Sequence, residues 1–199
     1  MSLLIKVCGL KRSSDVTAAV DAGANAIGFV FAESKRRVTP TQAAVAASAA
    51  PEGILRVAVM LHPDVSEWQD VLATFKPDVL QTDYDDFNYL DVPASVMRWP
   101  VYREGGALPD DAISDTFVYE GKASGQGQTV DWQRAADIAS RGRMVLAGGL
   151  DRDNVTTAVQ TVRPFGVDAS SAVESEPGVK DPKRIHEFVK AARAAEQTL

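Results

Sequence analysis

Apolar and β-branched residues gather in eight short runs of five to eight residues: LLIKVCGL (3–10), AIGFVFA (26–32), LRVAVML (55–61), VLQTD (79–83), VMRWPVY (96–102), TFVYEG (116–121), RMVLAGGL (143–150) and GVDAS (166–170). Runs of this length bounded by turn residues predict β-strands. Between most of them the apolar positions return at helical spacing: SSDVTAAVDAGA from Ser13, TPTQAAVAASAA from Thr39, DVSEWQDVLATF from Asp64, VDWQRAADIASRG from Val130, DRDNVTTAVQTV from Asp151 and DPKRIHEFVKAARAA from Asp181. Boundary residues agree with that pattern: Ser13 or Ser14 as a cap, Pro40 in a first turn, Gly142 as a stop.

Strand and helix alternate from end to end with no linker, which is α/β grammar. Eight parallel strands with crossover helices predict a TIM (β/α)8 barrel formed by 1–199 as a single domain. An open doubly wound sheet competes, but eight units in 199 residues leave little room for flanking strands or a second domain. Closure also removes the sheet edges. Such a barrel is minimal. Its fifth helix is short or missing, because EGGALPDDAISD (104–115) holds at most a turn or two, and the fourth, around YDDFNYL (84–90), is also short.

Composition narrows the function. No stretch approaches the roughly 18 apolar residues of a membrane span, and the first residues carry a lysine and no cleavage site, so the expected location is cytoplasmic. A net charge of −6, with no basic block longer than Lys35-Arg36-Arg37, argues against nucleic acid as a partner. One cysteine and two separated histidines, His62 and His186, make neither an internal disulfide nor a zinc cage, so no metal is expected.

Barrel enzymes place their chemistry at the carboxyl ends of the strands. There the sequence offers Cys8-Gly9 after strand one, Ser34 to Arg37 after strand two, Gln81-Thr82-Asp83 at strand four and Glu120-Gly121 at strand six. Gly148-Gly149 follows strand seven, and Asp168-Ala169-Ser170-Ser171 ends strand eight. Small residues after the last two strands are suited to holding phosphate through backbone N–H groups. A lone cysteine in an apolar strand is ordinarily a small buried hydrophobe. At a strand end, with Lys6 on the same face, Cys8 is instead a candidate thiolate.

Five segments, IKVCGL (5–10), AGANAIGFVFAESKRRV (22–38), GQTVDW (127–132), LAGGLDRDNV (146–155) and RPFGVDASSAVESEPGVKDPKRI (163–185), together make the sequence resemble the phosphoribosylanthranilate isomerase family of tryptophan biosynthesis. That resemblance implies an Amadori rearrangement of N-(5-phosphoribosyl)anthranilate to 1-(2-carboxyphenylamino)-1-deoxyribulose 5-phosphate, with no metal or organic cofactor. It also implies Cys8 as general base, Glu120 as general acid, and Arg36 facing the anthranilate carboxylate. Gly148, Gly149, Ser170 and Ser171 match the phosphate loops, and Asp168 matches an acid near the ribose hydroxyls.

The sequence departs from the family pattern in three places. Glu120 stands where aspartate is usual; LQTDYDDF replaces a segment with a histidine, leaving Asp83 on that surface; SSAVE and SGQG replace glycine-richer loops. Two other readings stay open: a neighbouring phosphoribosyl-binding barrel enzyme, and a catalytically silent phosphosugar-binding barrel, which would keep the glycine loops but not both thiol and acid. Oligomeric state, monomer or homodimer, is not legible.

Overall fold

A computed structural model describes residues 2–109, 113, 116–122 and 129–197. All eight expected strands form: β1 (Leu4–Cys8), β2 (Ala26–Val30), β3 (Leu55–Val59), β4 (Val79–Asp83), β5 (Met97–Arg103), β6 (Phe117–Glu120), β7 (Met144–Leu146) and β8 (Gly166–Ala169). They pair in parallel in sequence order, and β8 returns to β1, closing the barrel. The first and seventh runs yield shorter strands than expected because the backbone turns to positive φ at Gly9 (77°) and Gly148 (91°), outside the β region.

Six α-helices are present among the described residues: α1 (Ser13–Ala22), α2 (Pro40–Ala47), α3 (Val65–Thr74), α4 (Trp132–Ala139), α5 (Val155–Val162) and α6 (Pro182–Glu196). Pro40 opens α2 as expected, where its missing N–H costs nothing. Neither serine caps α1. Asp15 does the work instead, its carboxylate accepting the N–H groups of Lys11 and Arg12. Helix α4 stops at Ala139, short of Gly142. The fourth crossover is a single 3-10 turn (Tyr84–Asn88), and the described part of the fifth carries no helix. A small hairpin that the pattern did not foretell, β9 (Glu174–Glu176) with β10 (Val179–Lys180), follows β8.

Strand side chains alternate between two interiors. Ile5 and Val7 of β1 join the large core beneath the helices, whereas Leu4 joins the small apolar plug inside the barrel with Val57, Val79, Trp99, Val118 and Val145. Lys6 and Cys8 share the inward parity of Leu4. By the same rule Trp99, Val101 and Arg103 of β5, and Val118 and Glu120 of β6, climb the inside wall toward the carboxyl end. The plug is therefore apolar at the bottom and charged at the top.

Candidate active site

A cleft of about 240 Å³ opens at that charged end, and it is lined by all eight residues to which the resemblance gives a role: Cys8, Arg36, Glu120, Gly148, Gly149, Asp168, Ser170 and Ser171. Their convergence follows from closed parallel topology, which brings every strand's carboxyl end to one mouth.

The floor is built by β1 and β8. Lys6, fully buried, donates from Nζ to Oδ2 of Asp168 at 2.7 Å. Burial alone would pull the Lys6 ammonium down, but Asp168 and Cys8 more than offset it, and its pKa is pushed up to about 12. Burial pushes the Cys8 thiol up, Lys6 draws it back down and Asp168 adds to the rise. The thiol therefore lies above its ordinary range, with the cation below it holding the rise in check. Gly28 on β2 leaves the space both side chains need, since a Cβ there would come within 2.8 Å of Cys8 Sγ and 3.1 Å of Lys6 Cε. The second oxygen of Asp168, Oδ1, is buried and has no hydrogen-bond partner among the described residues, and the same holds for Oε1 of Gln81 at the opposite side of the cleft.

Arg36 lies across Gly9, and its guanidinium is clamped on Glu174 of β9 by two bonds, Nε to Oε1 at 2.7 Å and Nη2 to Oε2 at 2.9 Å. Lys180 of β10 donates to the same carboxylate at 2.8 Å and to the Ser170 carbonyl at 2.8 Å. The unforeseen hairpin is therefore a brace linking Arg36 to the end of β8. A guanidinium has a second edge, formed by Nη1 and Nη2, and the clamp leaves it available for another carboxylate.

After β7 the chain passes through Gly148 and Gly149, both at positive φ (91° and 61°), and Asn154 holds the turn by donating to the Gly149 carbonyl at 2.8 Å. Asp151 accepts the N–H groups of Asp153 and Asn154, capping the approach to α5. After β8, Ser170 Oγ donates to the Cys8 carbonyl at 3.1 Å, and Ser171 opens a 3-10 turn (Ser171–Val173). Ala172 sits within that right-handed turn, which an L residue enters without strain. The SGQG stretch, 124–127, lies outside the described residues, as does the start of GQTVDW.

Glu120 ends β6 beside Arg103 of β5. The Arg103 guanidinium reaches Glu120 Oε1 at 3.1 Å and Asp83 Oδ1 at 2.5 Å. His62, in the loop after β3, lies with Nε2 3.4 Å from Asp83 Oδ2 and Nδ1 2.8 Å from Asp86 Oδ1. A histidine thus reaches the Asp83 surface from another loop. Sequence reasoning missed Arg103, Glu174 and Lys180. Extending the fifth strand one residue past Tyr102 puts Arg103 at the inward parity of Trp99 and Val101, a signal that was available. The Pro-Gly of ESEPGVK, a turn signal, marked the hairpin.

The closed barrel, with thiol, carboxyl, guanidinium and glycine turns at one mouth, defines an enzyme of the β/α-barrel class. The family profile of N-(5'-phosphoribosyl)anthranilate isomerase matches residues 5–191. The N-(5'-phosphoribosyl)anthranilate isomerase of Listeria welshimeri is 37% identical over 208 aligned positions, spanning 98% of this chain and 100% of its own. The solved phosphoribosyl anthranilate isomerase of Thermus thermophilus superposes with a TM-score of 0.83 at 25% identity, over 96% of this chain and 99% of that one. A phosphoribosyl anthranilate isomerase solved with reduced 1-(o-carboxyphenylamino)-1-deoxyribulose 5-phosphate superposes at 0.81 and 25% identity, over 97% of this chain and 100% of the other. This chain belongs to the N-(5'-phosphoribosyl)anthranilate isomerase family, aldose–ketose isomerases of tryptophan biosynthesis. No helix among the described residues is long and apolar enough to cross a membrane.

Proposed function

We propose that the protein converts N-(5-phosphoribosyl)anthranilate to 1-(2-carboxyphenylamino)-1-deoxyribulose 5-phosphate with Glu120 as general acid and Cys8 as general base. Glu120 gives its proton to the furanose ring oxygen as the C1–O bond breaks and the nitrogen lone pair forms the C=N bond. The Cys8 thiolate then takes the proton from C2, and the electron pair left behind makes the enolamine and neutralises the nitrogen. Return of a proton to C1, with loss of the C2 hydroxyl proton to the Glu120 carboxylate, completes the ketose and resets both groups.

The observation that carries this reading is the shared cleft: a thiol above a buried cation on β1 and a carboxyl on β6, three strands apart around the barrel, with room between them. Asp168 supports it as well. Its orphaned Oδ1 needs a donor, and a ribose hydroxyl supplies one. Gly148, Gly149, Ser170 and Ser171 take the phosphate, and the open edge of Arg36 takes the anthranilate carboxylate. A base that must stay a free thiol also suits a reducing compartment, and the cytoplasm is the location proposed for this single barrel domain.

The direct test is optical: adding the protein to N-(5-phosphoribosyl)anthranilate should make anthranilate-type fluorescence decay, and a constant signal would overturn the activity. Arg36→Ala should raise KM by roughly 10- to 100-fold, as loss of a charge-assisted contact worth about 1.5–3 kcal/mol requires, with kcat little changed. Glu174 stays paired with Lys180 in that variant, so the brace is not left as a bare buried charge. An unchanged KM would move the carboxylate contact elsewhere.

A further inference from the structure

We propose that Arg103 is a positioning residue for Glu120: shared with Asp83, its guanidinium fixes the acid in the cleft and, through that sharing, sets how firmly the acid holds its proton. The inference rests on Glu120 acting as the general acid. Arg103 and Glu120 are cross-strand partners with the same inward parity, so their approach is imposed by the sheet and not by a mobile loop. Both side chains are largely buried, at 25% and 12% exposure, which preserves the interaction from solvent screening.

A chemical conflict makes the third member necessary. A guanidinium close to a carboxyl favours the carboxylate, whereas an acid catalyst must hold a proton. Asp83 opposes that tendency twice. It competes for the same guanidinium, which bonds to both carboxylates, and it adds a negative charge near Glu120. His62 in turn touches both Asp83 and Asp86, so the chain of charges runs from the acid to the rim of the barrel.

Among the described residues, the other charged groups near Glu120 are Glu104, Lys122 and those of the cleft already described. Glu104, after β5, accepts the Asp131 N–H at 2.8 Å. Lys122 follows β6 by two residues. On the floor, Lys6 and Asp168 pair below Cys8, while Glu33 and Arg36 line the mouth from the β2 side. From the end of β7 the cleft receives Ala147, the two glycines and Leu150, none of which titrates.

The test compares Arg103→Met, Arg103→Lys and Asp83→Asn with the parent enzyme. The Glu120 carboxyl carbon is followed by NMR against pH and assigned by its absence in Glu120→Gln. Kinetics give a second readout. Because burial raises the thiol, the productive form pairs a thiolate with a carboxylic acid, and its share is constant between the two titrations and falls below the lower one. The lower inflection of kcat/KM therefore tracks Glu120.

Arg103→Met should move both readouts upward by about one pH unit or more, and Asp83→Asn should move them downward. Arg103→Lys keeps the charge and should hold the titration near its parent position, while kcat falls less than the roughly 10²-fold expected when Arg103→Met lets the carboxyl drift. Should Arg103→Met fail to fold, Asp83→Asn decides by itself, since it keeps the arginine. Unmoved titrations alongside an inactive Glu120→Gln would leave the acid standing and reduce Arg103 to a brace, overturning the proposal. An active Glu120→Gln would instead remove the acid assignment and this inference with it.

Discussion

Cys8→Ala should bind reduced 1-(o-carboxyphenylamino)-1-deoxyribulose 5-phosphate within a few-fold of the parent protein yet turn over roughly 10²- to 10⁴-fold more slowly. Affinity is retained because the contacts proposed for the phosphate and the carboxylate come from the β7 and β8 turns and from Arg36, none of which bonds to the sulfur. The packing cost is small, since the side chain is short and stands in the polar upper part of the barrel, clear of the apolar plug. Binding by calorimetry together with steady-state fluorescence separates the two effects. If sulfur were only filling space beside Gly28, alanine would turn over nearly as fast as cysteine, and the base would have to be sought at another side chain of the cleft.

An equally large loss is expected at Glu120. Glu120→Gln keeps the size of the side chain and can still bond to Arg103 through its amide oxygen, but an amide has no proton to give the ring oxygen, so turnover should fall by about 10² to 10⁴ or more. Glu120→Asp tests a different property. It keeps the acid and withdraws it by one methylene along β6, and a displacement of about 1 Å is enough to cost around 10² in rate. Glutamine below aspartate, and both below the parent, is the expected order. A carboxylate that merely fringed the cleft would leave all three alike, and suspicion would pass to Asp83 or Asp168.

The barrel was legible because its strands are short and β-branched while its helices carry turn and cap signals, so the two periodicities seldom overlap. Even the weak fifth unit was visible, as Gly105, Gly106 and Pro109 crowd the place of its helix. Candidate site residues at strand ends followed from the fold rule, and the roles proposed for them from the family resemblance. What escaped depended on one boundary or on distant contacts. Ending the fifth strand at Tyr102 hid Arg103, whose meaning lies in parity. The brace of Glu174 and Lys180 lies in strands of three and two residues, too short to announce a period, and Glu174 is recognisable only by the Arg36 it meets 138 positions away. Ser13 and Ser14 were plausible caps on residue type, but Asp15 reaches back to the preceding N–H groups and wins by its charge at a helix start.

The ion pair on the cleft floor also bears on how the chain assembles. Lys6 and Asp168 are 162 residues apart, so an N-terminal portion of the barrel formed without β8 would enclose an ammonium with no counterion. Burying such a charge alone is heavily unfavourable. Partial barrels are therefore penalised until the last strand docks, and the step that seals the wall is the same one that gives the buried ammonium its counterion and brings Asp168 to the cleft. In a stalled intermediate Cys8 and Lys6 would stand without Asp168, Ser170 and Ser171 beside them: the cleft is completed as a consequence of cooperative closure, without a separate assembly step.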